Sequence, residues 1–156
     1  MLLGNIALAV VWAALQGEFS LSQLLLGYAL GYVLLAALAR GGVVSSRYPK
    51  KVHAVLALLA FLFKEFLVAN LRMAIDVIGP TANLRPAIVR VPLDATEEYE
   101  ILLLSALLNL TPGSIVLDVT SDRRALFVHV MHVTTPEAVR AEIKSGFERR
   151  VLEVLR

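Results

Sequence analysis

The sequence predicts a membrane α-helical hairpin, an amphipathic or third transmembrane helix after it, and then a small α+β domain of order β-α-β-β-α. Three observations carry this. Charge is segregated: residues 1–39 hold a single charged side chain, Glu18, whereas residues 80–156 hold 9 Lys+Arg and 10 Asp+Glu. The apolar fraction is 58% and the mean hydropathy +0.72, above the roughly 45–50% apolar usage of soluble domains. Finally, the charged half alternates short strand-like and helix-like runs. The organisation expected is 1–52 for the hairpin and its basic loop, 53–79 for the ambiguous helix, and 80–156 for the folded domain.

Met1 to Leu15 is apolar apart from Asn5, and Leu21 to Ala39 is apolar again. A span needs about 17–25 residues, so the first segment is short and the second just sufficient. The polar break Gln16–Ser20 marks the turn between them. Gly27 and Gly31 form a small-xxx-small pair that permits close helix approach. There is no basic region at the start and a second apolar segment follows at once, so no cleaved signal peptide is expected. Arg40, Arg47, Lys50 and Lys51 follow the second segment. The positive-inside bias assigns them to the cytoplasm, and Pro49 is expected to break the helix there.

His53 to Ile78 is long enough to cross a bilayer but carries Lys64, Glu65, Arg72 and Asp76. At 100° per residue these four fall at about 0°, 100°, 80° and 120°, within one third of the helix surface. Such a stripe fits a helix lying in the interface or one spanning with its charges against partner helices. The interfacial or steeply tilted helix is favoured. It leaves the domain on the side of Arg47, Lys50 and Lys51, and makes Lys64, Glu65, Arg72 and Asp76 candidate lipid, subunit or ion-path contacts.

The domain is expected to open at Gly79-Pro80. Ala87–Val91 reads as a strand closed by Pro92. Asp94 and Glu97 resemble a capping box before a helix through Leu108, which is too short to span and is stopped by Pro112-Gly113. Ser114–Thr120 alternates as a strand, with Ile115, Leu117 and Val119 on one face. Ser121–Arg124 is a turn and Leu126–Val133 a strand. Thr135-Pro136-Glu137 is a helix start, with Val139, Ile143, Phe147, Val151 and Val154 as its apolar stripe. The first two strands are expected to run parallel, joined by a right-handed crossover.

No catalytic or cofactor motif is present, and without cysteine there is no thiol chemistry or disulfide. A net charge of +2 does not point to nucleic acid. His129 and His132, three apart on a strand, point to opposite faces and so do not suggest a metal site. Asp118, Asp122, Arg123 and Arg124 read as a solvated hairpin end or, alternatively, a docking surface.

Three stretches resemble a known family: Ala69-Asn70 leading to Arg85–Pro92; Leu107–Ser114 with Thr111-Pro112-Gly113, followed by Asp118; and Leu126-Phe-Val-His129. They resemble the E subunit of the multisubunit Na+/H+ antiporters of the Mrp or Mnh type, across nearly the whole chain. The resemblance implies a multi-pass, non-catalytic subunit of a bacterial cell membrane complex that exchanges Na+ for protons, with a cytoplasmic C-terminal domain. Its partners would be the other antiporter subunits and the lipid bilayer, with no cofactor and no small-molecule substrate of its own. The motif residues are Asn70, Pro92, Thr111, Pro112, Gly113, Asp118 and His129. The residues alone also admit a free-standing membrane-anchored regulatory or ligand-binding module.

Overall fold

The computed structural model describes residues 2–45, 47–79 and 84–156; the expected boundary at Pro80 lies outside them. The chain forms two compact units, Met1–His53 and Ala54–Arg156.

In the first unit, α1 (Leu2–Gln16) and α2 (Leu21–Arg40) pack as a hairpin. The break between them is local chemistry: Gly17 takes φ +70°, and the Ser20 hydroxyl accepts the Gln23 N–H at 3.3 Å to cap α2. Asn5, Ala9 and Ala13, four residues apart, are the buried face of α1, and Gly27 and Gly31 that of α2. The fit is tight. A Cβ on Gly27 would lie 2.8 Å from Trp12 Cβ, and one on Gly31 would overlap Asn5 Oδ1. The predicted use of the glycine pair is thus seen in the packing.

The third helix, α3 (Arg47–Ile78), starts six residues earlier than its hydropathy predicts. Pro49 sits in its first turn, where a missing N–H costs nothing, so the proline opens this helix instead of breaking one. Its side of the hairpin unit is tied by Tyr48, whose hydroxyl receives Asn5 Nδ2 at 2.9 Å and bonds the Tyr28 hydroxyl at 2.9 Å. By length and composition α2 and α3 could each cross a membrane; α1 is shorter.

The second unit holds β1 (Ala87–Pro92), α4 (Glu98–Leu110), β2 (Ser114–Val119), β3 (Ala125–Val130) and a C-terminal helix. That helix comprises α5 (Pro136–Glu142), a π-helical segment Ile143–Glu148 and α6 (Arg149–Leu155). The sheet order is β1-β3-β2, and both outer strands pair antiparallel to β3. The first two strands therefore do point the same way, but β3 is inserted between them.

Val89, Val91, Leu126 and Val128 of the sheet, Ile101, Leu104 and Leu108 of α4, and Val139, Ile143, Phe147 and Val151 of the C-terminal helix form one core. The four helix positions recur every four residues. An α-helix would let that stripe drift about 40° per step. The π segment, with wider turns, brings it back over the sheet.

Three expectations are corrected. A register shift between Val116 and Asp118 breaks the alternation of β2, so Val116 and Val119 pack on the core while Ile115 and Leu117 stay about half exposed. β3 ends at Val130, and His132 lies beyond it in an isolated bridge to Arg85. The capping pair is not Asp94–Glu97. Instead the Glu100 carboxylate accepts the N–H groups of Thr96 (3.0 Å) and Glu97 (3.3 Å). Asp94 is taken by the C-terminal helix: its N–H donates to Glu148 at 2.6 Å and its carboxylate meets Lys144 at 2.9 Å.

The sheet edges are covered by side chains. On β1, Arg140 Nε donates to Arg90 O at 2.9 Å and Lys144 Nζ to Pro92 O at 3.1 Å. On β2, Val116 N–H donates to Asn109 Oδ1 at 2.8 Å.

Candidate subunit-docking site

The charged stripe of α3 and the Thr111-Pro112-Gly113 motif, far apart in sequence, line one cleft of about 100 Å³. Glu65 and Arg72 enter it from α3, Thr111 and Gly113 from the turn after α4, and His132 and Glu142 from beyond β3 and from α5.

Thr111 and Gly113 of this turn each have a backbone task. Thr111 ends α4, with its hydroxyl donating to Leu108 O at 2.8 Å and bonded to Ser114 Oγ at 3.2 Å. Gly113 adopts φ +92°, a left-handed conformation that side chains disfavour, and its carbonyl accepts Met131 N–H at 2.9 Å. The turn thereby delivers β2 to the sheet.

Above the turn, α3 is held along one side. Phe61 packs edge-on against Phe147, with centroids 5.0 Å apart, and the Arg150 guanidinium lies 4.1 Å over the Phe61 ring. Arg150 also donates to Ser145 O (3.1 Å) and Gly146 O (2.7 Å), two carbonyls of the π segment. At the other end, Asp76 meets His132 Nε2 at 3.2 Å. Lys64 lies at the edge of the stripe, largely exposed, 3.5 Å from Glu65.

The remaining predicted residues lie elsewhere. Asn70 is on the exposed side of α3, and its Nδ2 donates back to Phe66 O at 2.7 Å. Pro92 stands on the outer edge of β1, where its missing N–H leaves no ladder bond unmade. Asp118 accepts the Val119 N–H at 2.8 Å and lines a second, open groove of about 590 Å³ between α4 and β2, with Leu102, Asn109 and Arg123. His129 stands between Ile88 and Ile115 in register. In register Asp118 faces Phe127, two residues from His129 along β3.

Sequence reasoning missed the ionic network at the top of α4. Glu100, 1% exposed, takes two bonds from Arg156 at 2.9 and 3.0 Å. The Arg156 guanidinium, aided by the Thr96 and Glu97 N–H groups against the effect of burial, holds this carboxyl down to about 2. Glu148, equally buried, accepts the N–H groups of Asp94 and Ala95 and lies 3.3 Å from Lys144. The available signal was Glu148 itself, an acid adjoining Phe147 in the apolar stripe. These charges are engaged in holding helix ends together.

A family profile described as a Na+/H+ ion antiporter subunit matches residues 5–154. The E subunit of the Na+/H+ antiporter of Alkalihalophilus pseudofirmus is 32% identical over 96% of this chain and 94% of its own length. The E1 subunit of the Na+/H+ antiporter of Staphylococcus haemolyticus is 34% identical over 96% and 94%. Among solved structures, a chain of the Mrp complex from Dietzia sp. DQ12-45-1b aligns at a TM-score of 0.52 and 25% identity, covering 65% of this chain and 96% of that one. A chain of the membrane-bound sulfane sulfur reductase, an archaeal respiratory membrane complex, aligns at 0.54 and 25% identity over 96% and 95%. With a hairpin of apolar helices, a β1-β3-β2 domain and the Thr111-Pro112-Gly113 turn all inside the matched span, the chain belongs to the family of Na+/H+ antiporter E subunits.

Proposed function

We propose that this chain is a non-catalytic, scaffolding subunit of a multisubunit Na+/H+ antiporter. The α1–α2 hairpin packs among the other membrane subunits, and the C-terminal domain braces them on the cytoplasmic side, the side of Arg47, Lys50 and Lys51. The observation that carries this reading is the use of the buried charges. Glu100 and Glu148 are both committed to internal partners, Arg156, Lys144 and backbone N–H groups. Their bonds tie the start of α4 and the loop before it to the C-terminal helix, a structural use of buried charge. The recurrence of the fold in a sulfane sulfur reductase complex supports the same reading: a part shared by machines of different chemistry suits support better than reaction.

On this reading Pro92, Thr111, Pro112 and Gly113 shape the domain. Asp118, with its open groove, and His129, on the outer row of the sheet, are contacts for neighbouring subunits. Lys64, Glu65, Arg72 and Asp76 set the seat of the domain on α3.

Deletion of the chain tests the function: Na+ tolerance at alkaline pH and antiport in everted vesicles should both fall. Glu65→Gln and Asp76→Asn separate scaffold from ion path. Antiport per assembled complex should stay within about twofold of wild type; a loss of turnover with normal assembly would make these groups part of the path. Trypsin access to Arg123-Arg124 in everted but not right-side-out vesicles is the expected mark of the cytoplasmic placement.

A further inference from the structure

All seven charged residues of α3 lie on one side of it. Arg47, Lys50, Lys51, Lys64, Glu65, Arg72 and Asp76 fall within an arc of about 140° at 100° per residue. The domain is attached on that same side, through Phe61 at Phe147 and Arg150 and through Asp76 at His132. These two fixings are fifteen residues apart, about 22 Å along the axis. The opposite side is apolar and bare: Leu56, Leu59, Phe63, Leu67 and Ile78 are each more than half exposed. Its one polar residue, Asn70, has an amide turned back onto Phe66 O.

We propose that α3 lies in the membrane interface, its bare side bedded at the acyl-chain boundary of the lipid and its charged side carrying the C-terminal domain. The occupant of the bare side is the lipid surface. Two facts select it. A crossing helix fixed to the domain from Phe61 to Asp76 would draw Glu142 and Arg150 alongside it to hydrocarbon depth, where charges are expensive. Finally, a one-sided charged stripe on an otherwise apolar helix is the pattern that binds interfaces. The proposal takes membrane anchoring by the hairpin from the scaffold reading but does not depend on bracing.

Because the chain has no cysteine, single thiols can be placed along the bare side. Leu59→Cys, Phe63→Cys and Leu67→Cys are spin-labelled in the assembled antiporter, its other subunits freed of cysteine, and reconstituted in vesicles. Immersion depth is then read from collisions with oxygen and with a water-soluble nickel chelate. The three labels should sit at one shallow depth, within about one helical pitch, 5 Å. A depth that changes steadily by about 6 Å per step would show a crossing helix and overturn the proposal. Immobile labels reached by neither reagent would show another subunit on that side and overturn it equally. Unmodified complex gives an independent reading: a lipid carrying a photoreactive group near its headgroup should label α3 peptides, and one carrying it at the chain terminus should not. Labelling by the deep probe would sink the interfacial placement while leaving the scaffold intact. Absence of the chain from the purified complex would sink the scaffold reading instead.

Discussion

Glu100 carries a pH dependence whose sign can be worked out. Its folded value, about 2, lies below the 4.5 of a free glutamate. The stabilisation is therefore fully present above about 4.5 and is lost as pH falls from there towards 2. Glu100→Gln should remove that part of the acid sensitivity of the detergent-solubilised protein, as followed by circular dichroism. At neutral pH it should cost on the order of 1–3 kcal/mol, since the amide satisfies fewer of the four donors now served. Arg156→Ala should destabilise more than Glu100→Gln, because it leaves the anion buried. Some of this scale was legible: Thr135 as a cap and Gly113 as the turn residue follow from local rules that need no partner. The bonds of Glu100 to Arg156 and of Glu148 to Asp94 were not, because the partners lie 56 and 54 residues apart in sequence and nothing local marks Glu100 as a buried acid.

Helix packing sets the next expectations. Gly31→Ala would drive a methyl into the Asn5 side chain, and Gly27→Ala one into Trp12 and the Ala9 backbone. Each should cost about 1–3 kcal/mol of hairpin stability by overpacking, measured as the midpoint of unfolding in mixed micelles and as loss of co-purification. A Gly4→Ala control, whose Cβ would meet nothing within 4 Å, should be neutral. Phe61→Leu keeps most of the apolar contact but removes the ring beneath Arg150, and should cost about 0.5–1 kcal/mol.

Element types and order were readable from period and punctuation, and the hairpin from hydropathy with two glycines. The strand faces of β2 were not. A bulge adds a residue without any marker in Ile115-Val-Leu-Asp118, and the alternating pattern then points the wrong side chains inward. The start of α3 was misplaced because proline ends one helix and begins another by the same property. The cleft joining Glu65 and Arg72 to Thr111-Pro112-Gly113 could not be foreseen, since it needs the helix and the turn in three dimensions.

At the level of the chain, the unit Ala54–Arg156 includes most of α3, and this sets where it can be cut. A fragment starting at Ala54 should keep its fold but require detergent, because it presents the bare side of α3 to solvent. One starting at Leu84 loses Phe61 and Leu62 from the edge of the core, and should melt at a lower temperature than the longer fragment in the same detergent. Equal melting temperatures would show that α3 contributes nothing to the domain.

The two outer strands have a further consequence. Arg140 and Lys144 occupy the carbonyls of one margin, and Asn109 together with the bulge spoils the other. A chain released from its complex then has no ready template on which a second copy could extend the ribbon. Surplus copies made before their neighbours arrive are thereby protected from fibre-like growth. Assembly must proceed through side chains meeting side chains, a route that is reversible until the correct companion is found.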